Sequence, residues 1–159
     1  MDVRRKGHTL ELDEVHYWQS LNYDACTSRQ CNRDADNKKI DLVKIPIAIQ
    51  CKNGYATGFN YERELASMKQ ANKKGEFKDH PFIVRHKKPK FDCYAMDIKV
   101  FNYFVETASI KTKTSLSNLM HTLILSADRF EKQKTLILID VKAMRTIFNS
   151  VYKLPKTND

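Results

Sequence analysis

Long apolar runs are missing from this chain. No stretch approaches the ~20 consecutive apolar residues that a bilayer-spanning helix needs. The opening MDVRRKGHTLELDE turns polar at once, without the apolar segment of a secretory leader. A soluble, cytoplasmic protein is therefore expected (host cytoplasm if it is a phage protein). Glycine and proline are scarce, four of each, which argues against long flexible linkers. The four cysteines, Cys26, Cys31, Cys51 and Cys93, contain no C-x-x-C pair and no spacing of a common zinc module. They read as reduced thiols of an intracellular protein. The one metal alternative is a site built from Cys26, Cys31 and His16. Acidic residues are the minority, 19 against 28 Lys and Arg, which leaves a net charge of +9. That excess suits a polyanionic partner, nucleic acid ahead of an anionic membrane surface. It is densest from Glu62 to Lys90, where nine Lys and Arg stand against four acids.

What is present is an ordinary globular mixture, 42% apolar and 30% charged over 159 residues, enough for one domain with a real core. LELDEVHYWQSLNY, Leu10 to Tyr23, has helical periodicity with Leu10, Val15, Trp18 and Leu21 on one face. Glu11 and Glu14 fall on the same arc. Either they stay wet at the helix edge, near the N-terminal dipole, or one of them faces a cation. Tyr23 to Ser28 reads as a short strand and Arg29 to Lys39 as a polar loop. Ile40–Val43 and Ile47–Lys52 read as a tight hairpin turning through Lys44–Pro46. Asn60 to Gly75 carries the signals of a helix: Asn60 as cap, Glu62 and Glu64 in the first turn, Lys73 and Lys74 at the end, Gly75 as stop. A second hairpin, PFIVRH–KKPK–FDCYAM, leads to Asp97 as the cap of a helix through Phe101 and Phe104. The later TLILSADRFEKQKTLILIDVKAM echoes that pattern of strand, charged turn, strand, Asp cap, helix. Alternatively LSNLMHTLIL is one helix, since Leu116, Leu119, Met120 and Leu123 have helical spacing. The expected class is α/β, layers around a mixed sheet.

One stretch is chemically odd. Gln50 and Lys52 interrupt the apolar strand Ile47–Lys52 two residues apart, so both point to one side. A hairpin partner would bring Asp41 alongside, about 5 Å away, and the first helix adds Glu11. Asp41, Glu11, the Gln50 amide oxygen and the backbone carbonyl of Cys51 are hard oxygen ligands of the kind Mg²⁺ takes, with Mn²⁺ as a substitute. Lys52 is placed to hold or deprotonate an attacking water, or to neutralise charge on a phosphate. This is the outline of a metal-assisted phosphodiester hydrolysis site.

Three short motifs in this order carry a resemblance: R-R-K-G-x-x-x-E at Arg4 to Glu11, I-D-L-V at Ile40 to Val43, and I-Q-C-K at Ile49 to Lys52. The chain resembles the PD-(D/E)xK nuclease superfamily, and within it the Holliday junction resolvase-like members of archaea and phages. The resemblance covers Arg4 to Glu106. It implies a restriction-endonuclease-like αβββαβ core over residues 1–106, with residues 107–159 as a C-terminal extension on the same domain. It implies Glu11 and Asp41 as metal ligands, Gln50 in the place of the second acid, and Lys52 as the catalytic lysine. Arg4, Arg5 and Lys6 match a basic patch that meets the phosphate backbone, and Ser28 or Arg29 a polar position near the scissile phosphate. Two departures stand out. Glutamine replaces the usual Glu or Asp at position 50, and Ile40, not proline, precedes Asp41.

The function so implied is Mg²⁺-dependent, structure-selective cutting of DNA, a four-way junction cut symmetrically by a two-fold homodimer. Backbone contacts would come from Arg33, Lys38, Lys39, Lys69, Lys73, Lys74, Arg85, His86, Lys87 and Lys88, and binding would weaken steeply with salt. Competing expectations are a restriction-like or repair endonuclease on the same fold, a non-catalytic DNA-binding protein that lost metal affinity through Gln50, and a zinc adaptor using the cysteines.

Overall fold

The computed structural model describes residues 3–54 and 57–153. Helix α1, Val3–Ser20, starts well before Leu10, since Arg4, Arg5 and Lys6 are good helix formers. It stops where Asn22 takes a left-handed conformation, φ 70°. Strand β1, Cys26–Thr27, is followed by two short helices, α2 (Ser28–Cys31) and α3 (Arg33–Asn37), in the segment expected as a loop. Asn32 explains the second of these: its side chain accepts from the Ala35 N–H and caps α3. Cys26 and Cys31 are joined by a disulfide across α2, their Cα atoms 6.5 Å apart. Reduced thiols at these positions, and a zinc site built from them with His16, are thereby corrected. Cys51 and Cys93 are free and buried.

Strand β2, Leu42–Val43, does not form a hairpin with β3, Ala48–Asn53. It pairs antiparallel with β1, Thr27 opposite Leu42, as a separate two-stranded sheet. Lys44 turns the chain at φ 63°, and one backbone bond, Asp41 N–H to the Ile49 carbonyl at 2.9 Å, links the two segments. The capped helix α4, Tyr61–Ala71, then crosses over to β4, Phe82–Lys88, which lies parallel to β3. Parallel neighbours require such a crossover. The expected hairpin follows, β4 with β5, Phe91–Asp97.

Helix α5, Ile98–Thr112, α6, Leu116–Ser126, the short β6, Phe130–Lys132, β7, Leu136–Asp140, and α7, Val141–Tyr152, complete the described chain. The sheet order is β3-β4-β5-β7-β6, with β3–β4 its one parallel pair. The class is therefore mixed α/β, with seven helices and a five-stranded mixed sheet among the described residues. TLILS belongs to α6, so the reading of LSNLMHTLIL as a helix is the one that fits, and the echo is confined to β4–β5–α5 against β6–β7–α7. In the β5–β7 ladder Asp97 faces Leu136 and Cys93 faces Asp140, so exchanging the two Asp-terminated strands maps the ladder onto itself. The two caps differ. Asp140 accepts from the N–H groups of Lys142 and Ala143, whereas Asp97 reaches Lys69 instead.

One face of the sheet packs α1, α5 and α7 through Trp18, Phe101, Phe104 and Phe148; the other packs α4 through Tyr61, Leu65 and Met68. Odd residues of β3 face α1 and even ones face α4, and β3 is left at the sheet's edge.

Candidate active site

The free edge of β3 organises the site. Peptide groups of Ile49 and Cys51 turn away from β4, and both meet Asp41. The Asp41 N–H donates to the Ile49 carbonyl, and the Cys51 N–H donates to Asp41 Oδ2 at 2.6 Å. A residue's N–H and C=O point to the same side of a strand, so the Cys51 carbonyl faces this edge too. Asp41 is thus clamped to the strand by a backbone and a side-chain bond without any β2–β3 ladder. Glu11 arrives from α1 on one face of the sheet, Gln50 and Lys52 from the other. A cleft of about 330 Å³ joins them, lined by Glu11, Asp41, Gln50, Cys51 and Lys52 together with Arg4, Gly7, Arg29 and Asn53.

Two carboxylates sit there with incomplete compensation. Burial raises the Asp41 carboxyl to about 6, and the nearby charge of Glu11 adds to this; the Cys51 N–H and the Lys52 ammonium pull the other way. Burial likewise raises the Glu11 carboxyl, opposed by Arg29 and His8. Glu11 Oε1 accepts from Arg29 at 2.8 Å, while its Oε2 is buried with no hydrogen-bond partner.

Glu14, one turn further along α1, has a different role from Glu11. It is fully buried and accepts from Arg85 Nε at 2.7 Å, from the Tyr94 hydroxyl at 2.8 Å and from Arg145 at 2.8 Å. It ties α1 to the sheet and to α7, away from the cleft. Of the two acids of the first helix, Glu11 is the one that lines the cleft.

Sequence reasoning missed Glu64. Read as a first-turn acid of α4, it stands 3.4 Å from Lys52 Nζ and 3.6 Å from Lys39 Nζ. The Gln50 orientation that satisfies both amide ends donates its nitrogen to Glu64 Oε1 and accepts from Lys52 Nζ at 3.2 Å through its oxygen. Glu64 therefore decides which end of the amide faces Lys52. No local motif marks it; the β3–α4–β4 crossover brings it back over the strand.

The basic candidates divide. Arg4 and Arg29 line the cleft; Arg5, Lys6, Arg33, Lys73, Lys74 and Lys87 are exposed, and Lys88 is half-buried. Lys38 pairs with Asp34 at 2.6 Å and Lys69 with Asp97. Ser28, Arg85 and His86 are buried, 0%, 2% and 0% exposed, so these three do not meet a ligand's backbone from the surface. Ser28 instead donates to Asp36 across α2 and α3, and His86 sits between the Tyr61 hydroxyl and the Gly54 carbonyl.

Among the described residues no three His, Cys, Asp or Glu side chains cluster as a metal site. The donor set of the cleft is two carboxylates, one amide oxygen and one backbone carbonyl. Such a set fits Mg²⁺, which takes few protein oxygens and keeps several waters. The orphaned Glu11 oxygen and the raised Asp41 mark where a cation's charge would be compensated. Comparison with protein-family models, curated proteins and solved structures finds no match for this chain.

Proposed function

We propose that the protein is a Mg²⁺-dependent, structure-selective DNA endonuclease of the PD-(D/E)xK type, cutting four-way junctions as a two-fold dimer. The observation that carries this reading is the convergence of Glu11, Asp41, Gln50 and Lys52 on one cleft at the edge of β3. The order α1, β1, β2, β3, α4, β4, interrupted between β1 and β2 by the short helices α2 and α3, supports an αβββαβ core, with β1 and β2 displaced into their own small sheet.

Glu11 Oε2, Asp41, the Gln50 oxygen and the Cys51 carbonyl would hold the metal, which when bound supplies a Lewis acid at the phosphate and a more acidic water. The chain's own groups do the rest. Glu64 and Gln50 fix the Lys52 ammonium beside the cleft, where it stabilises charge growing on a phosphate oxygen. Arg4 and Arg29 offer cations at the cleft for the flanking backbone. Arg29 is the more telling of the two, since it covers Glu11 in the free protein.

A second reading, a DNA-binding protein without chemistry, is favoured by one fact: position 50 is neutral, leaving two acids in the cleft. One assay separates them. Labelled four-way junction and matching linear duplex are incubated with Mg²⁺ or Mn²⁺, then with EDTA, beside Lys52→Ala. Paired symmetric nicks in the junction, lost with EDTA and in the variant, support the resolvase. Cutting of linear duplex as well points to a restriction or repair type of enzyme. Tight binding without cutting supports the second reading.

A further inference from the structure

We propose that a second groove, separate from the cleft, binds the backbone of duplex DNA away from the point of cutting. The inference rests on the nucleic-acid partner proposed above, but not on any chemistry in the cleft. The groove encloses about 650 Å³ between the end of β4, the β4–β5 turn, Asp128–Arg129 and the first turn of α7. Asp13 lies in its wall. Two residues turn a helix by ~200°, so Asp13 is on the side of α1 opposite to Glu11, and α1 divides groove from cleft.

The charges in the groove are arranged unequally. Its lining carries four acids against seven cations. Asp128 and Asp140 Oδ2 have no partner among the described residues, but three of the acids are engaged: Asp92 accepts from buried Arg85, Asp13 pairs with Arg145 at 3.2 Å, and Asp140 caps α7 through Oδ1. The lysines are not so occupied. Lys87, Lys88, Lys90 and Lys142 line the groove and form no ion pair with a described acid. Phe91 holds two cations in place, the Arg129 guanidinium 4.0 Å and the Lys88 ammonium 5.2 Å from its ring centroid. Cations already positioned lose less freedom when an anion arrives.

A polyanion fits this layout better than a single phosphate. The free lysines do not converge on one point; they run from the end of β4 to α7. The groove also begins beside the cleft, because Lys87 stands in register with Asn53, a cleft residue. Adjacent strands lie about 5 Å apart, while duplex DNA carries a charge every ~1.7 Å of its axis. A duplex with one phosphate at the cleft therefore has others within reach of the groove. Arg129, Lys142 and Arg145 come from beyond residue 106, so the groove engages the C-terminal segment in holding the flanking duplex.

The test is fluorescence anisotropy of a labelled linear duplex across a salt series. Wild type is compared with the triple variant Lys88→Gln, Lys90→Gln, Lys142→Gln. An equal-charge control, Lys99→Gln, Lys113→Gln, Lys134→Gln, changes lysines outside both groove and cleft. Each lost phosphate contact lowers the slope of log affinity against log salt by ~0.9. The groove variant is expected to lose roughly two to three units of slope and at least about tenfold in affinity at moderate salt, with the control unchanged. An unchanged slope in the groove variant, or an equal loss in the control, overturns the proposal. So does a loss confined to heparin with duplex binding intact. If the wild type binds duplex with a groove-dependent slope yet cuts nothing, the groove stands and the nuclease reading falls. If the wild type binds no duplex at all, both fall.

Discussion

Replacing Asp41 by asparagine should make the metal-free protein more stable at alkaline pH while abolishing cutting. In the folded chain Asp41 keeps its proton up to about pH 6, against 3.8 in an unfolded chain. Between those values the folded state binds more protons, so stability falls as pH rises across that window, and the loss is complete above it. At ~1.4 kcal/mol per pH unit the ionised carboxylate costs the fold about 3 kcal/mol. Asparagine has nearly the same shape, and its oxygen can still accept from the Cys51 N–H; what disappears is the charge. In a chain of this size 1 kcal/mol moves Tm by ~2–4 °C. Asp41→Asn should therefore melt roughly 6–12 °C above wild type at pH 8, with the gap closing towards pH 4. Added Mg²⁺ should raise the Tm of the wild type and leave that of the variant in place. Differential scanning fluorimetry across pH, with and without Mg²⁺, reads all of this. An Asp41→Asn protein no more stable than wild type at pH 8 would refute the electrostatic account of the cleft.

Glu64→Gln removes the acceptor that orients Gln50, so half-maximal cutting should need several-fold more Mg²⁺, and Gln50→Glu in that background should restore the requirement; an unchanged Mg²⁺ titration contradicts the orienting role. Arg85→Met leaves buried Glu14 short of a partner and should lower stability in urea denaturation by roughly 3–5 kcal/mol, whereas a loss below about 1 kcal/mol would mean that Arg145 and Tyr94 suffice. Reducing the Cys26–Cys31 disulfide should cost about 2 kcal/mol from the closure of so short a loop, seen as a lower Tm with reductant; Cys26→Ser with Cys31→Ser should show no reductant effect. Lys52→Ala should lower junction cutting by ~10²–10⁴-fold with duplex affinity within about twofold of wild type, since the groove and the basic cleft residues remain.

How much of the molecule is legible in its sequence depends on whether a signal is local. Asn60 and Glu62 mark the start of α4 within one segment, whereas its end comes at Ala71 with Asn72 as cap, short of the expected Lys73, Lys74 and Gly75; the β4–β5 hairpin announces itself by its basic turn. Asp41, Gln50 and Lys52 are readable as a set because a strand's two-residue period puts the last two on one side. The means by which Asp41 reaches them is not readable. The spacing predicts a hairpin, but Val43 pairs with Cys26 and the contact rests on the Cys51 N–H. The partner of β2 lies in a two-residue strand too short to leave a periodic signal. Glu64 is invisible as a site residue for the same kind of reason, since its neighbours come from a crossover. Arg85 and His86 sit in a run of cations that reads as surface. Their partners are mostly distant, Glu14, Tyr61 and Gly54, with Asp92 across the hairpin as the one near in sequence, and together these let them be buried.

Glu11 and Glu14 show why the cleft is more than an accident of packing. They lie three residues apart on one helix, and both are buried. Around Glu14 the fold assembles two guanidinium groups and a tyrosine hydroxyl, so no oxygen is left without a donor. Around Glu11 it supplies one arginine, from an exposed side chain on a short helix, and leaves the other oxygen without a hydrogen bond, His8 standing 3.7 Å from it, beside a second acid whose own carboxyl is raised. The same chain therefore has the means to neutralise an acid completely at this depth. Incomplete neutralisation one turn away is a local property of the edge of β3. It is also the condition under which a cation gains most by binding, because uncompensated, desolvated oxygens have no competing donors to give up. The free energy that Asp41→Asn should return to the fold and the affinity the cleft should show for Mg²⁺ are thus two measurements of one electrostatic deficit.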